Sequence, residues 1–339
     1  MALAALAATR PVATMLAHAG AQRSRLPFTS PWLLAPMEGV TEPCFRDLVL
    51  ARNPATRLGG AFTEFVRVSE AAAPRHVLRR HLGPQRFTAP VGLQLMGSDL
   101  ARLAETARHA VECGAPLIDL NFGCPAKGSL RGCAGSALLA EPAALERVVR
   151  AVVDALPGTP VTAKIRAGID CASRVEELAR AAEAGGARLL TVHCRTRAEG
   201  FRAHTDWTRI ARAVAAVSIP VCGNGGVATH ADLQRMRDAT GCAYAMVGRG
   251  ALADPWIFSG ARVSRAEAAR FLLDYAAAMR TRGQFGVHGI VARLKQLFHH
   301  WTAGELFAEN ERGAWLRERD GAVLLARFES LARVASVGG

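Results

Sequence analysis

The 339-residue sequence has almost no lysine. Lys127, Lys164 and Lys295 are its three lysines, against 39 arginines. Arginine does not replace lysine where a compact point charge is needed, so each lysine marks a position to explain. Aromatic residues are scarce too, at 6%, which leaves few places for ring stacking. No apolar run reaches the roughly 18 residues of a membrane span, and uncharged stretches such as 213–229 are broken by Pro220 and glycines. The eight cysteines form no C-x-x-C pair and are scattered from Cys44 to Cys242. That excludes a zinc pattern or a disulfide framework, argues against a Cys124–Cys133 bridge, and fits a reducing, cytoplasmic compartment. No acid precedes Glu38, and Arg10, Arg23 and Arg25 are the charged side chains of residues 1–31. An acid-free, Arg-bearing leader can be a transit peptide; the blander reading, a disordered extension over 1–31, is the one adopted.

What is present is a globular chain. Half of its residues are hydrophobic, too many for a disordered segment. The net charge of +13 is spread out, with +3 in 1–31, +6 in 32–261 and +4 in 262–339. It permits a polyanionic partner without assigning one to any region.

From residue 32 onward, short apolar runs alternate with longer Ala/Arg/Glu-rich amphipathic stretches. The runs are 32–35, 61–65, 91–96, 117–121, 161–165, 189–193, 220–223 and 243–247. Near-continuous apolar runs read as buried parallel strands, and the amphipathic stretches as crossover helices. Helices are predicted over 42–52, 98–113, 141–156, 173–185, 206–217 and 229–239, with Thr41, Ser98, Ser173, Thr205 and Thr229 as candidate caps. Eight such units predict an α/β fold, a (β/α)8 TIM barrel over 32–261. A doubly wound open sheet is the alternative, but no G-x-G-x-x-G follows the first run. After Pro255 the strand runs stop, and 264–282, 288–301 and 313–335 are helical by period. Residues 262–339 therefore read as a small C-terminal helical domain.

Active sites of such barrels lie at the carboxyl ends of the strands. The polar residues there are Pro36-Met37-Glu38, Gln94, Asn121 with the following Gly123-Cys124-Pro125, Lys164 with Arg166, His193, Asn224-Gly225-Gly226 and Gly248-Arg249. The last two groups read either as Gly-rich turns or as a phosphate site, where backbone N–H groups and a guanidinium approach an anion. Lys164 lies among apolar neighbours in a strand. Unpaired burial of lysine is costly, so an anionic or electron-rich ligand explains it better than a core position. Gln94 and Asn121 read equally well as structural amides. Cys124, in a loop at this face, is a candidate acid or nucleophile.

Four segments carry a resemblance: Leu34–Thr41, Asp119–Lys127, Val192–Arg197 and Val247–Ala251. Over roughly 32–310 the chain resembles the tRNA-dihydrouridine synthases, which are flavin-binding barrels with a helical tRNA-binding tail. Thr63–Val68 and Val291–Gln296 look like the C-type subfamily, which acts on uridine 16 of the D-loop. The resemblance implies an enzyme that uses FMN and NADPH (or NADH) to reduce uridine in tRNA, as a monomer without metal or membrane. It implies that Pro36, Met37 and Glu38 line the flavin. Gln94 and Lys164 would bond its ring edge, with His193 beside the ring, and Asn224, Gly225, Gly226, Gly248 and Arg249 would hold its phosphate. Cys124 would be the proton donor. Arg67, Asn121, Phe201, Arg293, Lys295 and His300 would face tRNA, and Arg312 is a further basic candidate. Residues 302–312 look shortened against the family. The competing function is a flavin barrel acting on a small free pyrimidine, as in dihydroorotate oxidation; it leaves the basic tail unexplained.

Overall fold

The computed structural model describes residues 25–84, 87–125, 134–200, 204–283, 285–308 and 310–333. Among these are nine strands: β1 (Trp32–Leu34), β2 (Gly60–Phe62), β3 (Val66–Arg67), β4 (Val91–Met96), β5 (Ile118–Phe122), β6 (Val161–Arg166), β7 (Leu190–His193), β8 (Val221–Asn224) and β9 (Tyr244–Val247). They pair in parallel, each with its neighbour. β1 closes the ring by pairing with both β2 and β9. β2 and β3 both pair with β4 and form one interrupted stave, so the barrel has eight staves, the expected (β/α)8 closure. The predicted strand 61–65 is therefore broken at 63–65. There the Thr63 hydroxyl takes over the ladder, accepting from Gln94 N at 3.1 Å and donating to Glu64 O at 2.7 Å.

Alternation along the strands explains why the runs look continuously apolar. One parity, including Leu34, Ala61, Leu120, Ala163, Val192 and Val247, packs outward in the large core shared with the helices. The other parity, Leu33, Ala35, Phe62, Leu117, Leu189, Cys222 and Met246, forms a separate cluster inside the barrel. Farther along the inward parity the residues turn polar: Gln94, Asp119, Thr162 and Thr191, then Asn121, Lys164, His193 and Asn224. The site sits on that change.

The end of the leader differs from expectation. Residues 25–31 are ordered, and Leu26 and Phe28 plug the barrel floor. The Phe28 ring centroid lies 5.9 Å from that of Phe62 and 5.5 Å from that of Tyr244. The segment crosses Gly59 so closely that a Cβ there would lie 2.0 Å from Ser30 O.

The predicted helices are present as α1 (Pro43–Arg52), α3 (Leu100–Glu112), α4 (Pro142–Ala155), α5 (Val175–Ala184), α6 (Thr208–Ala216) and α7 (His230–Thr240). Two short ones add to the expected set, α2 (Arg75–Leu82) and α8 (Arg249–Ala253). Thr229 caps α7 in a capping box with Asp232, but the other candidate caps do not serve. Glu42 caps α1, its carboxylate accepting from Cys44 N at 2.6 Å, and Asp99 caps α3. In both cases a carboxylate one residue later supplies the stronger acceptor. α5 and α6 begin after Arg174 and Trp207, without a side-chain cap.

The tail contains α9 (Arg265–Arg282), α10 (Val287–Phe298), α11 (Arg312–Arg317) and α12 (Gly321–Arg333). The single helix expected over 313–335 is two. The chain turns extended at Glu318 (ψ 124°), the Lys295 ammonium donates to the Glu318 carbonyl, and Asp320 accepts from Ala322 N at 2.8 Å to start α12. The few aromatic residues concentrate here. Phe271 of α9 meets Phe45 of α1 (6.0 Å), Trp256 (5.5 Å) and Trp301 (5.6 Å). Phe298, Phe307, Trp315 and Phe328 form a second cluster. Aromatic packing thus joins tail to barrel in one continuous core. Among the described residues, no helix is long and apolar enough to cross a membrane.

Phe271 is fully buried at that junction. Phe271→Ala is expected to destabilise the protein by about 3–5 kcal/mol, read as a lowered Tm in thermal denaturation. Phe271→Leu should recover most of the loss.

Candidate active site

A cavity of about 840 Å³ opens at the carboxyl ends of the strands. Every stave except β4 contributes to its wall: Pro36, Met37 and Glu38 after β1, Phe65 at the β2–β3 break, Asn121, Gly123 and Cys124 from β5 onward, Lys164 and Arg166 on β6, His193 and Arg195 from β7, Asn224 to Ala228 from β8, and Gly248 and Arg249 after β9. The tail adds His300 and Thr302. Four of these residues carry basic side chains, Lys164, Arg166, Arg195 and Arg249, against one carboxylate, Glu38. Such a wall favours an anionic occupant.

Lys164 and Asp119 set the electrostatics of the floor. Burial, and then the nearby Arg166, lower the Lys164 ammonium to about 8, while Asp119 draws it back up. Burial raises the fully enclosed Asp119 carboxyl to about 6, against hydrogen bonds from Thr162 and Gln94 and the charge of Lys164. Each is the other's partial compensation.

His193 is held neutral. Burial, with Lys164 and Arg166 behind it, pushes its pKa well below the usual range. Its Nδ1 lies 2.9 Å from Asn224 Oδ1, and Asn224 Nδ2 donates to Met246 O at 2.8 Å. That second bond orients the amide, so Nδ1 carries the proton and Nε2 is an acceptor.

Cys124 is 8% exposed, in the loop after β5. Side chains from β5 and β6 hold this loop, and Ser136 N donates to Cys124 O at 3.1 Å. Asn121 Oδ1 accepts from Gly123 N (2.9 Å) and Cys124 N (3.0 Å). Arg166 Nε donates to Gly123 O at 2.8 Å, and its Nη1 reaches Thr196 O and Gly200 O. Burial lowers the Arg166 pKa, with the Cys124 sulfur nearby as the leading opposing group.

The structure brings together Pro36, Met37, Glu38, Asn121, Cys124, Lys164, His193, Asn224, Gly225, Gly226, Gly248, Arg249 and His300 on one cavity wall. Of the other expected residues that are described, Gln94, Arg67, Arg293, Lys295 and Arg312 do not line this cavity. Gln94 is fully buried beneath the wall, its amide engaged at both ends by Asp119 and Asn121. Asn121 commits its oxygen and one N–H to neighbouring groups, so its observed work is to shape the loop. His300 lies beside Arg249; burial, and then that guanidinium, lower its pKa. This puts it at the glycine-loop end of the cavity. Arg67 is exposed on β3. Arg293 of α10 covers the Phe285 ring at 5.0 Å and reaches toward Gly39. Lys295 braces the α11–α12 break, and Arg312 donates to Phe298 O (2.5 Å) and Trp301 O (2.7 Å), finishing α10. Phe201, Lys127 and Cys133 lie outside the described residues.

Arg166 received no role from the sequence, although it shares the inward parity of Lys164 two residues earlier, a readable signal. Arg195 and Thr302 come from a loop and the tail, where no periodicity points inward, and Phe65 ends the predicted 61–65 run, at the break between β2 and β3.

The chain matches the dihydrouridine synthase (Dus) family over residues 33–288. It is 42% identical over 231 residues to the tRNA-dihydrouridine(16) synthase of Cupriavidus necator, covering 66% of this chain and 71% of that one. A protein of the same name from Pseudomonas syringae pv. tomato is 41% identical over 232 residues, with 66% and 71% covered. One from Haemophilus ducreyi is 35% identical over 282 residues, with 79% and 85% covered.

Lys164→Met removes the cation beside Asp119. Its carboxyl is already raised above the ordinary unfolded value, so the ionised form destabilises the fold above that pKa and the penalty fades as pH falls through it. The ligand-free variant should melt roughly 5 °C below the ligand-free parent at about pH 7, where both Asp119 and Lys164 of the parent carry charge. The gap should narrow toward about pH 5, where Asp119 is protonated. Melting curves across pH check this, and a gap independent of pH would count against the pairing.

Proposed function

This chain belongs to the dihydrouridine synthase family, and on that premise we propose that it reduces uridine to 5,6-dihydrouridine in tRNA with FMN as the bound flavin and NADPH as the reductant. The observation that carries the reading is Cys124 and Lys164 on the walls of one cationic cavity. The residues present fit a flavin mononucleotide. Gly225 and Gly226 adopt φ of +107° and +79°, backbone that leaves their N–H groups room beside an anion. Arg249, with Arg195 and His300 near it, supplies the charge a phosphate calls for. Asn224, Gly225, Gly226, Gly248 and Arg249 would hold the phosphate, Pro36, Met37 and Glu38 would line the ring, and Lys164 would meet its polar edge.

Bound there, the flavin supplies the hydride that C6 of the uracil requires. The protein's own work is at the other carbon. Cys124, fixed through its backbone N–H by Asn121, gives a proton to C5. Lys164 stabilises negative charge at the cavity floor, and neutral His193 accepts rather than donates at Nε2. The target base leaves the tRNA stack to enter the cavity. Arg67, Phe201 and Arg293 are proposed to meet the RNA directly, and Lys295 to support it through the tail it braces. The names of the relatives, together with Thr63–Val68 and Val291–Gln296, favour the C-type subfamily and uridine 16. The cysteine pattern favours the cytoplasm.

Cys124→Ala should keep the yellow flavin band while dihydrouridine formation falls about 10²-fold or more; full activity in this variant would remove Cys124 from the reaction. Mapping dihydrouridine in tRNA from a strain lacking the gene should show loss at position 16. Loss elsewhere would overturn the positional assignment and leave the chemistry standing.

A further inference from the structure

Under the cavity floor, polar side chains on three adjacent strands form a directed chain of hydrogen bonds. Gln94 of β4, Asp119 of β5 and Thr162 of β6 lie side by side in the ladder, all fully buried. The Thr162 hydroxyl donates to Asp119 Oδ1 at 2.6 Å, and Gln94 Nε2 donates to Asp119 Oδ2 at 2.6 Å. Asn121 Nδ2 donates to Gln94 Oε1 at 2.8 Å. Asn121 Oδ1 then accepts from Gly123 N and Cys124 N.

The direction of this chain comes from its first member. An amide can present either its oxygen or its nitrogen, whereas an ionised carboxylate only accepts. Asp119 therefore draws the Gln94 nitrogen downward and leaves Oε1 facing Asn121. Asn121 must answer with its nitrogen, and so presents oxygen to the two loop N–H groups. Were the order reversed, the Asn121 NH₂ would face two backbone donors and the loop would lose both bonds. Burying a carboxylate is unfavourable, and a plain structural bond at this position needs no charge.

We propose that Asp119 is a positioning residue for Cys124, its carboxylate setting through Gln94 and Asn121 the conformation of the loop that carries the thiol. This rests on the reading of Cys124 as proton donor for its catalytic meaning, but the loop effect itself is independent of the reaction. The groups around Asp119 are Gln94 on β4, Thr162 and Lys164 on β6, and Cys222 on β8.

The test moves the carboxylate along the chain. Gln94→Glu places a second carboxylate against Asp119. At low pH one shared proton restores a donor between them and the chain survives; at higher pH that proton leaves, the two carboxylates repel each other, and the side chain at position 94 is driven out of line with Asn121. The double variant Asp119→Asn/Gln94→Glu keeps the total charge. The amide then at position 119 accepts from Thr162 and donates to the carboxylate at position 94, which accepts from Asn121 as the Gln94 oxygen did. The readout is alkylation of Cys124 by iodoacetamide on flavin-free protein, resolved by peptide mass spectrometry and taken as the ratio to the parent at each pH. The single variant should give a ratio near 1 at about pH 5.5, rising to about fivefold or more by about pH 8.5 as the loop opens. The double variant should stay near 1 throughout, and NADPH-dependent turnover should follow the same pattern inversely. A pH-independent ratio in the single variant, or a step that persists in the double, overturns the proposal. If Gln94→Glu does not fold at neutral pH, recovery of folded protein in the double variant supports it and failure to recover overturns it. Should the alkylation pattern hold while Cys124→Ala remains active, the loop effect stands and the proton-donor reading falls.

Discussion

The Lys164 ammonium sits where an apolar barrel interior gives way to a polar mouth, and much of the site answers to that one charge. Below it, Asp119 supplies the partly compensating carboxylate. Beside it, His193 is kept neutral by burial and by the cations around it. Above it, the cavity wall is so rich in guanidinium groups that a ligand carrying negative charge completes the electrostatics better than water does. The phosphate and the hydrogen-bond-accepting ring edge of the proposed FMN would answer that demand at the two ends of the cavity.

The same dependence on neighbours appears in the loop that carries Cys124. Strand β5 delivers Asp119, Asn121 and the loop in sequence, two residues apart on the inward face. Neighbouring strands add Gln94 from one side and Arg166 from the other. The loop is thus held from below by an amide chain and from the flank by a guanidinium, while its thiol stays at the cavity wall. The role proposed for Cys124 depends on such placement.

The tail belongs to the active-site architecture as much as to the proposed tRNA surface. α9 packs on α1 through Phe45 and Phe271, and the turn after α10 carries His300 and Thr302 to the rim beside Arg249. Lysine and arginine side chains that looked like RNA contacts, Lys295 and Arg312, are engaged by backbone carbonyls where tail helices end. A helix terminus leaves carbonyls without partners, and a long cationic side chain is a ready donor for them. From sequence, such a residue cannot be told from one that meets phosphate.

Local pattern and composition determined a good deal here. The alternation of apolar runs with amphipathic stretches specified a parallel barrel, since both chemistries repeat within a few residues. Strand-end position then marked Lys164, His193, Asn224 and Arg249, because chain order along a strand is also distance from the floor. The motif around Cys124 marked the loop proposed to react. What needed the folded chain was each fact that depends on which residues meet across strands. Gln94 looked like a cavity residue, yet two cross-strand bonds draw it under the wall. The cap at Glu42 displaced Thr41 because a carboxylate happens to reach two backbone N–H groups. The ordering of 25–31 depends on a floor cluster that gathers side chains from around the barrel. Periodicity is written in one dimension, whereas the polarity of a buried amide is set by neighbours some 25 residues away in the chain, and only tertiary structure decides those.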